Sequence, residues 1–396
     1  MKSSLFLAVS IAAALLVPCS MTAQMGEPRV FELNPAAVAK AKAHPSPELL
    51  AQAKKEADTA MKVTVVPITA KPQTPPSGDK RDYLSMGTYW WPNPDTPNHL
   101  PYVRHDGQHN PEAKNIPDHE NFDRMVKAVH ALALEYYLTG DTPYAVRAVE
   151  HLRAWYVTPA TAMHPNMKYA QYIAGVNEGR GAGILDTRML PQVIDAEGLL
   201  AASKDWTAAD RAAFHQWLAD YYVWLTTAKN AHDENNAPNN HGSWFQEQIA
   251  PIALYLGKTE DARKIEERVR DERIPSQIDA EGMQKLEMER TQSFSYSAMN
   301  LDALTTNAVI GERVGLDLYQ PAKPGAPTIL TAVDALMPYD AQHKWPHQQI
   351  SANRENSLCP ALFHVAAHTK AAKYADALKR FHCEPTASTM IEALGN

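Results

Sequence analysis

Apolar residues recur at helical spacing along most of the chain, which indicates a largely α-helical protein. In residues 122–140, Met125, Leu132 and Tyr136 lie seven and then four residues apart, and the run ends at Gly140. Helical patterns occupy six further segments: residues 142–157, 207–228, 258–274, 297–315, 327–337 and 360–381. The helix predicted for 258–274 is polar and faces outward.

The helical segments are joined in pairs by short turns, with longer polar segments between the pairs. Consecutive hairpins of this kind predict an all-α fold, either an α/α toroid built as an incomplete barrel of helical hairpins or a related helical array. Thr207 is expected to cap the helix that follows it, and residues 61–68 form the clearest strand-like stretch. Four polar segments are too long to be mere connections and are expected to carry the function: residues 71–120, 157–187, 230–243 and 273–297.

The N-terminus has the pattern of a secretory signal. One lysine precedes the apolar run Leu5–Val17, and small and polar residues follow. We therefore predict a signal peptide over residues 1–23, a single domain over 24–396, and a periplasmic or secreted protein. The run is too short to span a membrane. A lipoprotein anchor at Cys19 is an alternative that the preceding Pro18 disfavours.

Charge and cysteine content narrow the possible functions. The net charge is −7 and no run of lysine or arginine occurs, so a general nucleic-acid binder is excluded. An anionic ligand is still compatible, because a few cations can cluster on an acidic protein. Without the leader only Cys359 and Cys383 remain, and an oxidising compartment would permit one disulfide between them. No recurring ligand spacing links the histidines at 99, 105, 109 and 119, so neither a metal nor another cofactor is predicted.

The first polar segment is rich in aromatic residues. Tyr89, Trp90, Trp91, Tyr102 and Arg104 lie within sixteen residues. Exposed aromatic rings can stack on the apolar faces of sugars, and arginine pairs with carboxylates. The alternative is that the tryptophans fill the private core of a loop.

The second polar segment places amide and guanidinium groups among glycines. Asn177, Arg180 and Arg188 are the candidate ligand-binding residues. The glycines allow close approach of the backbone, but the order of a phosphate-binding loop is missing. An ordinary glycine-rich turn is the alternative.

The third polar segment contains four asparagines, a histidine and a tryptophan in "ENNAPNNHGSWF", residues 234–245. Ser243 and Gln246 have the spacing of a capping box, which predicts a helix that starts at Ser243. Asn239, Asn240 and His241 would then precede a helix N-terminus, which attracts anions. From local sequence alone, turn-forming asparagines and a structural histidine are the favoured explanation.

The fourth polar segment contains Arg290 and Tyr296, six residues apart in "ERTQSFSY". In a helix that offset would separate the two side chains, whereas in an extended segment it places both on one face. The stretch has little helical character, so we predict an extended segment. A surface loop with a structural tyrosine is the alternative.

Two other functional classes fit parts of the sequence. A glycoside hydrolase of toroid type would need a pair of carboxylates, for which Glu178, Asp186 and Asp106 are candidates. A non-catalytic periplasmic glycan-binding protein would need the tryptophans and arginines but not His241 and Tyr296.

Taken together, the motifs "YWWPNP", "LPYVRHDG", "YAQYIAGVNEGRGAGILD", "NNHGSW" and "ERTQSFSY" resemble those of the alginate lyase superfamily of secreted, all-helical polysaccharide lyases. They follow one another in order over roughly residues 80–350. The resemblance implies an α/α toroid whose long loops form a substrate groove. It also implies an anionic polysaccharide as substrate and no cofactor.

By motif, the resemblance assigns the catalytic roles to Asn240, His241, Arg290 and Tyr296. The residues expected to bind substrate come from the same motifs and the aromatic segment: Tyr89, Trp90, Trp91, Tyr102, Arg104, Asn177, Arg180, Asn239 and Trp244. The sequence does not decide whether His241 acts as a base or only helps to neutralise the substrate carboxylate.

The implied reaction is β-elimination in a polyuronate. A base removes H5, the 4-O-glycosidic bond breaks, and a 4,5-unsaturated uronate end is formed. Asn240, His241 and Arg290 would neutralise the carboxylate next to H5. Tyr296 would move the proton, with a pKa expected to be lowered by Arg290 and His241. One tyrosine can serve both steps when H5 and O4 lie on the same side, which favours mannuronate-rich alginate or glucuronan.

Overall fold

The computed structural model describes residues 27–340, 342–351 and 356–395. Helix accounts for 57% of the structure and strand for 4%, so the prediction of an all-α fold is confirmed. The expected signal peptide and Cys19 lie outside the described residues.

The helices and strands follow the chain in an almost purely helical order. The α-helices of the described residues are α1 (Pro35–Ala43), α2 (Pro47–Ala60), α3 (Asp118–Thr139), α4 (Thr142–Leu152), α5 (Leu190–Leu199), α6 (Ala208–Thr227), α7 (Lys229–Asn235), α8 (Asn240–Tyr255), α9 (Thr259–Arg268), α10 (Ile274–Gln277), α11 (Lys285–Met288), α12 (Ser293–Glu312), α13 (Ile329–Leu336), α14 (Cys359–Thr369), α15 (Ala372–Arg380) and α16 (Ala387–Glu392). The strands are β1 (Leu84–Met86), β2 (Trp90–Trp91), β3 (Val103–Arg104) and β4 (Tyr169–Tyr172).

Seven helices form a ring around a central axis. In order of packing they are α3, α5, α8, α12, α14, α16 and α2, and α2 packs back on α3. The ring encloses an axial cavity of about 1010 Å³. A second layer packs outside it, with α4 on α3, α9 on α8, α13 on α12 and α15 on α14. This inner and outer pairing is the predicted toroid.

The inner helices are buried on nearly all sides, because the ring lies on one face and the second layer on the other. Most of α8 and α12 is inaccessible to solvent. Such a helix needs apolar or hydrogen-bonded residues around its whole circumference. Polar residues on α8 and α12 must therefore find partners inside the protein.

Two predicted helix boundaries are confirmed, and one predicted helical segment is divided in two. Gly140 ends α3 in the left-handed conformation, with φ of 79°. Thr207 caps α6 in a capping box with Asp210. Segment 360–381 is divided between two helices, because Lys370 adopts the left-handed conformation and ends α14.

Three local predictions are wrong. Residues 61–68 form a turn and an irregular stretch rather than a strand. Helix α8 starts at Asn240 with Asn239 as N-cap, so Ser243 and Gln246 lie inside the helix instead of capping it. Ser243 donates to the side chain of Gln277, which satisfies it within the core. Residues 290–296 are not extended, because α12 already begins at Ser293.

The aromatic segment forms an arm over one end of the ring. We define the arm as residues 87–110; it contains the antiparallel pair β2–β3. Its base is closed by Asn110, whose backbone N–H donates to Thr88 and whose side chain donates to Trp90. Strand β1, just before the arm, pairs in parallel with β4. Because β4 belongs to the glycine-rich second polar segment, this strand pairing connects that segment to the base of the arm.

A buried ion pair fixes β1 to the ring. Lys71 Nζ lies 2.6 Å from Asp118 Oδ2, and both side chains are almost fully buried. The same carboxylate oxygen accepts the backbone N–H of Leu84 at 2.9 Å. Burial raises the pKa of Asp118 to about 6, against the effect of Lys71. The arm therefore starts from a strand that is tied to the first turn of α3.

Two further features are a disulfide near the C-terminus and the length and hydropathy of the helices. Cys359 and Cys383 form the disulfide that the sequence permits. Within the described residues, no helix combines the length and the apolar character needed to cross a membrane.

Because Lys71 and Asp118 are buried together, removing one partner should be more harmful than removing both. We expect Lys71→Met to lower the free energy of unfolding by about 3–5 kcal/mol, since it leaves an unpaired buried carboxylate. The double variant Lys71→Met/Asp118→Leu should recover much of this loss. Urea unfolding at neutral pH measures both; equal losses in the two proteins would contradict the role of the pair.

Candidate active site

Tyr296 lies in the first turn of α12, beneath the arm, and is half-buried. This helix end is held by a later segment of the chain. Trp345 donates its indole N–H to Ser293 Oγ at 2.8 Å, and Gln349 Oε1 accepts the backbone N–H of Phe294 at 3.1 Å. The phenol is therefore carried on a helix terminus that packing keeps in place.

Arg290 lies flat against the ring of Tyr296. Its guanidinium carbon is 3.7 Å from the ring centroid. The two side chains meet as predicted, but through the turn before α12 rather than through an extended segment. The contact places a positive charge beside the phenol.

Asp106, at the end of the arm, engages the same guanidinium. Arg290 Nη2 donates to Asp106 Oδ1 at 2.7 Å, and Nε lies 3.1 Å from Oδ1 and 3.2 Å from Oδ2. The carboxylate also accepts the backbone N–H and the hydroxyl of Thr291 at 3.1 and 3.0 Å. Burial raises the pKa of Asp106, but the bonds from Arg290 and Thr291 outweigh it and bring the pKa to about 2.

The hydroxyl of Tyr296 is in contact with a second tyrosine of the arm. The two hydroxyl oxygens of Tyr296 and Tyr89 are 2.5 Å apart. Burial raises the pKa of Tyr296 well above its usual value, and Tyr89 adds to this effect, while Arg290 opposes it. Arg290 acts on this pKa in the predicted direction, but burial outweighs its charge, so the pKa of Tyr296 lies above the usual value rather than below it.

His241 occupies the first turn of α8 and is oriented by a glutamate. Its Nδ1 lies 2.6 Å from Oε1 of Glu234, which is 3% exposed. A carboxylate only accepts hydrogen bonds, so Nδ1 carries the proton. Nε2 is thereby left as the ring atom available to a ligand, and the side chain remains partly exposed.

Asn240 is fully buried and bound to a second glutamate. Its side-chain N–H₂ group donates to both carboxylate oxygens of Glu287, at 2.8 and 2.9 Å, and its backbone N–H donates to one of them at 2.8 Å. Burial raises the pKa of Glu287, which Asn240, Arg290 and His241 oppose. Glu287 thus lies among three of the predicted catalytic residues, and the N–H groups of Asn240, which were predicted to bind the substrate carboxylate, are bound by Glu287 instead.

The other asparagines of the third segment have structural roles. Arg268 donates to the side-chain oxygens of Asn235 and Asn236 at 2.8 and 3.1 Å. Gln277 donates to the backbone carbonyl of Asn239 at 3.1 Å. Asn239 itself is partly exposed and precedes α8 without a side-chain capping bond. These contacts fix the loop that presents His241.

Arg180 is the second guanidinium near the site, and its surroundings differ from those of Arg290. It donates to Gln171 Oε1 at 2.7 Å, and Gln171 in turn donates to Asp186 at 2.8 Å. Burial lowers its pKa, while the charges of Glu234 and Asp186 oppose this. Among the described residues, no carboxylate lies within ion-pair distance of it. Arg180 is therefore a cation without a direct counter-ion.

The remaining aromatic residues of the first segment lie on the arm and are partly exposed. Trp90 and Trp91 form β2, opposite Arg104 and Val103 of β3. Tyr102 donates its hydroxyl to Glu112 at 2.7 Å. None of these rings belongs to the main core, which agrees with a role for them at the surface of a groove.

Three candidates lie away from this cluster. Asn177 accepts the backbone N–H of Ile173 at 3.2 Å and so stabilises its own turn. Trp244 is buried and lines the axial cavity together with Arg188, whose guanidinium lies 5.7 Å from the indole ring. Trp244 therefore faces the axial cavity inside the ring.

The carboxylates proposed for a glycoside hydrolase are not free to act as a pair. Asp186 accepts from Ser85 at 2.5 Å and from Gln171 at 2.8 Å. Asp106 is bound by Arg290, and Glu178 is exposed. In the described part of the chain, no group of three or more histidine, cysteine, aspartate or glutamate side chains is arranged to hold a metal ion.

Sequence reasoning missed Glu234 and Glu287, each of which binds one residue of the Asn240–His241 pair. Tyr89 and Asp106, which reach the site from the arm, were singled out from the sequence but for other roles. Glu234 lies seven residues before His241 and Glu287 three before Arg290. A glutamate close to a catalytic motif is a usable signal, but sequence alone does not reveal which acidic residue is buried.

Comparisons with known proteins identify the family and the fold. The alginate lyase family model matches residues 67–345. A crystal structure of an alginate lyase from Bacteroides ovatus shares 32% identity and a TM-score of 0.86, covering 93% of this chain and 99% of that one. Alginate lyase A1-III from Sphingomonas species A1 shares 16% identity and a TM-score of 0.52, covering 84% and 93% of the two chains, and so supports the fold alone.

No curated protein matches the chain. The family model nevertheless spans well over half of the sequence and includes every residue of the cluster around Tyr296. The chain therefore belongs to the alginate lyase family and is a polysaccharide lyase.

Proposed function

We propose that the protein cleaves a polyuronate, mannuronate-rich alginate or glucuronan, by β-elimination. The observation that carries this proposal is the position of Tyr296, with Arg290 against its ring and the arm above it. The name of the Bacteroides ovatus relative, an alginate lyase, supports an anionic uronate polymer as substrate.

Tyr296 would be both base and acid. As the phenolate it takes H5 of the uronate at the cleavage site, and as the phenol it returns that proton to the departing O4 oxygen. The C4–O4 bond breaks while a C4–C5 double bond forms, so the tyrosine ends in the state in which it began. The raised pKa suits the acid step. In the base step, Arg290 and a hydrogen bond donated by Tyr89 would stabilise the phenolate.

The substrate carboxylate would be received by Arg180 and His241. Arg180 has no direct counter-ion, whereas Arg290 is already bound by Asp106. His241 offers Nε2 to the same space, with Glu234 stabilising the positive charge that forms if Nε2 is protonated. Placing positive charge beside the carboxylate stabilises the enolate-like transition state. Asn240 would contribute indirectly, by holding Glu287 in place beside Arg290 and His241.

The arm would bind the sugar chain. The partly exposed rings of Trp90, Trp91 and Tyr102 offer flat apolar faces, and Arg104 adds a positive charge nearby. The use of a single tyrosine for both proton transfers favours units in which H5 and O4 are on the same side, as in mannuronate and glucuronate. A signal peptide over residues 1–23 and action outside the cytoplasm fit a polymeric substrate.

Removal of the Tyr296 hydroxyl should abolish catalysis and leave the fold intact. We expect Tyr296→Phe to lower kcat on polymannuronate or glucuronan at least about a thousandfold, because both proton transfers are lost. The rise of absorbance at 235 nm, which reports the new double bond, is the measurement. Tyr144→Phe, a substitution of a tyrosine bonded to Asp58 far from the site, should keep wild-type activity. Full activity of Tyr296→Phe would refute the assignment.

Arg180 should contribute more to transition-state binding than to stability. We expect Arg180→Gln to lower kcat/KM about a hundredfold, since it removes the charge opposite the substrate carboxylate. Arg124→Gln, at an exposed ion pair on α3, is the control and should be unchanged. An Arg180→Gln protein with normal kinetics would show that the carboxylate is bound elsewhere.

A further inference from the structure

Arg290 has two neighbours with opposite effects on Tyr296. One face of its guanidinium covers the phenol ring at 3.7 Å, and its edge is held by Asp106 at 2.7 Å. A positive charge beside a phenol favours the phenolate, whereas a negative charge disfavours it. Asp106 therefore fixes the position of Arg290 and at the same time offsets part of its charge.

Asp106 is built firmly into this position. Besides Arg290 it is bonded by both donors of Thr291, and Arg104 Nη2 lies 2.5 Å from its Oδ1. The next residue, Gly107, has φ of 73°, and a Cβ there would lie 2.4 Å from Thr291 Oγ1. The arm thus packs against the Arg290–Thr291 turn so closely that only glycine fits beside the carboxylate.

We propose that Asp106 is a positioning residue of the lyase reaction, which holds Arg290 over the ring of Tyr296 and sets how much of its charge reaches the phenol. The inference rests on the proposed function of Tyr296 as the base. The arm would then have two roles. It carries the aromatic residues proposed to bind sugars, and it carries Asp106, which would set the charge acting on Tyr296.

The charged and titratable groups around the phenol come from the arm and from the turn before α12. Tyr89 touches its hydroxyl, and His109 packs edge-on against Tyr89, with ring centroids 5.1 Å apart. Arg290 covers the phenol ring, and Asp106 lies behind that guanidinium, where Arg104 also pairs with it. Glu287 approaches Arg290 from α11, and its charge acts on that guanidinium. Asp106 is the carboxylate bonded directly to Arg290 and can be made neutral with little change of shape, which makes it the informative site for substitution.

The test compares two substitutions of Asp106 in the full-length enzyme. Asp106→Asn keeps the shape of the side chain and one acceptor oxygen, for either Arg290 or Thr291, and removes the charge. We expect the acid limb of the kcat/KM profile to move about one unit to lower pH, because the uncompensated Arg290 favours the phenolate. Asp106→Ala releases Arg290, so kcat should fall at least about tenfold and the limb should move to higher pH.

A double-mutant cycle with Arg290→Gln separates this role from a structural one. If Asp106 acts through Arg290, the shift caused by Asp106→Asn should shrink to less than half in the Arg290→Gln background. The control Asp220→Asn alters an exposed carboxylate on α6, outside the arm, and should leave the profile unchanged.

The outcomes distinguish this inference from the proposed function. A wild-type enzyme that gives no 235 nm product from any polyuronate would refute the proposed function. An active enzyme whose pH profile does not move in Asp106→Asn, or moves equally with and without Arg290, would overturn the role of Asp106 alone. Circular dichroism and thermal unfolding of each variant establish that it is folded.

Discussion

The N-terminus of α8 is buried at the mouth of a closed ring of helices, so its hydrogen-bond donors depend on partners within the protein. Asn240 and His241 begin this helix, and two buried glutamates, Glu287 and Glu234, take one of them each. An unsatisfied buried donor costs about 1–3 kcal/mol of folding free energy. Without these glutamates, a helix that starts at Asn240 would carry that cost. They also leave the imidazole one defined orientation. The stability of the helix end and the geometry of the site therefore share the same hydrogen bonds.

The two arginines near the phenol illustrate how surroundings decide the use of a side chain. Arg290 is held by Asp106 and lies against an aromatic ring, so its charge acts on a neighbour inside the protein. Arg180 is held by an amide, Gln171, which fixes its direction without neutralising it. Under the proposed function, the charge of Arg180 would attract the anionic ligand, and the paired charge of Arg290 would act on the phenol. Sequence motifs do not separate these roles, because both residues are arginines in polar loops.

The sequence predicted the architecture well because helix patterning is local. The periodicity around Met125 and Leu132, the stop at Gly140 and the cap at Thr207 are each set by neighbouring residues, and all are present. The site was predicted in part, through motifs that brought His241, Arg290 and Tyr296 forward. Their actual partners were not predicted: Asp106 lies 184 residues from Arg290 and Tyr89 lies 207 residues from Tyr296 along the chain. The start of α8 and the fold of residues 290–296 were mispredicted because tertiary packing overrode the local capping signal at Ser243 and the weak helical character of the second stretch.

The closure of the ring has a consequence for how such a chain folds. Its last helix, α16, seals the ring by packing on α2, and the backbone N–H of Ala387 donates to Glu56 at 3.1 Å across a separation of 331 residues. Until that contact forms, the inner faces of α3 and α14 lack part of their cover. Contacts this distant in sequence form late, since the entropy of closing so long a loop must first be overcome. The interior of the toroid, and with it the site on α8 and α12, is therefore expected to reach its final rigidity only when the two ends of the chain have met.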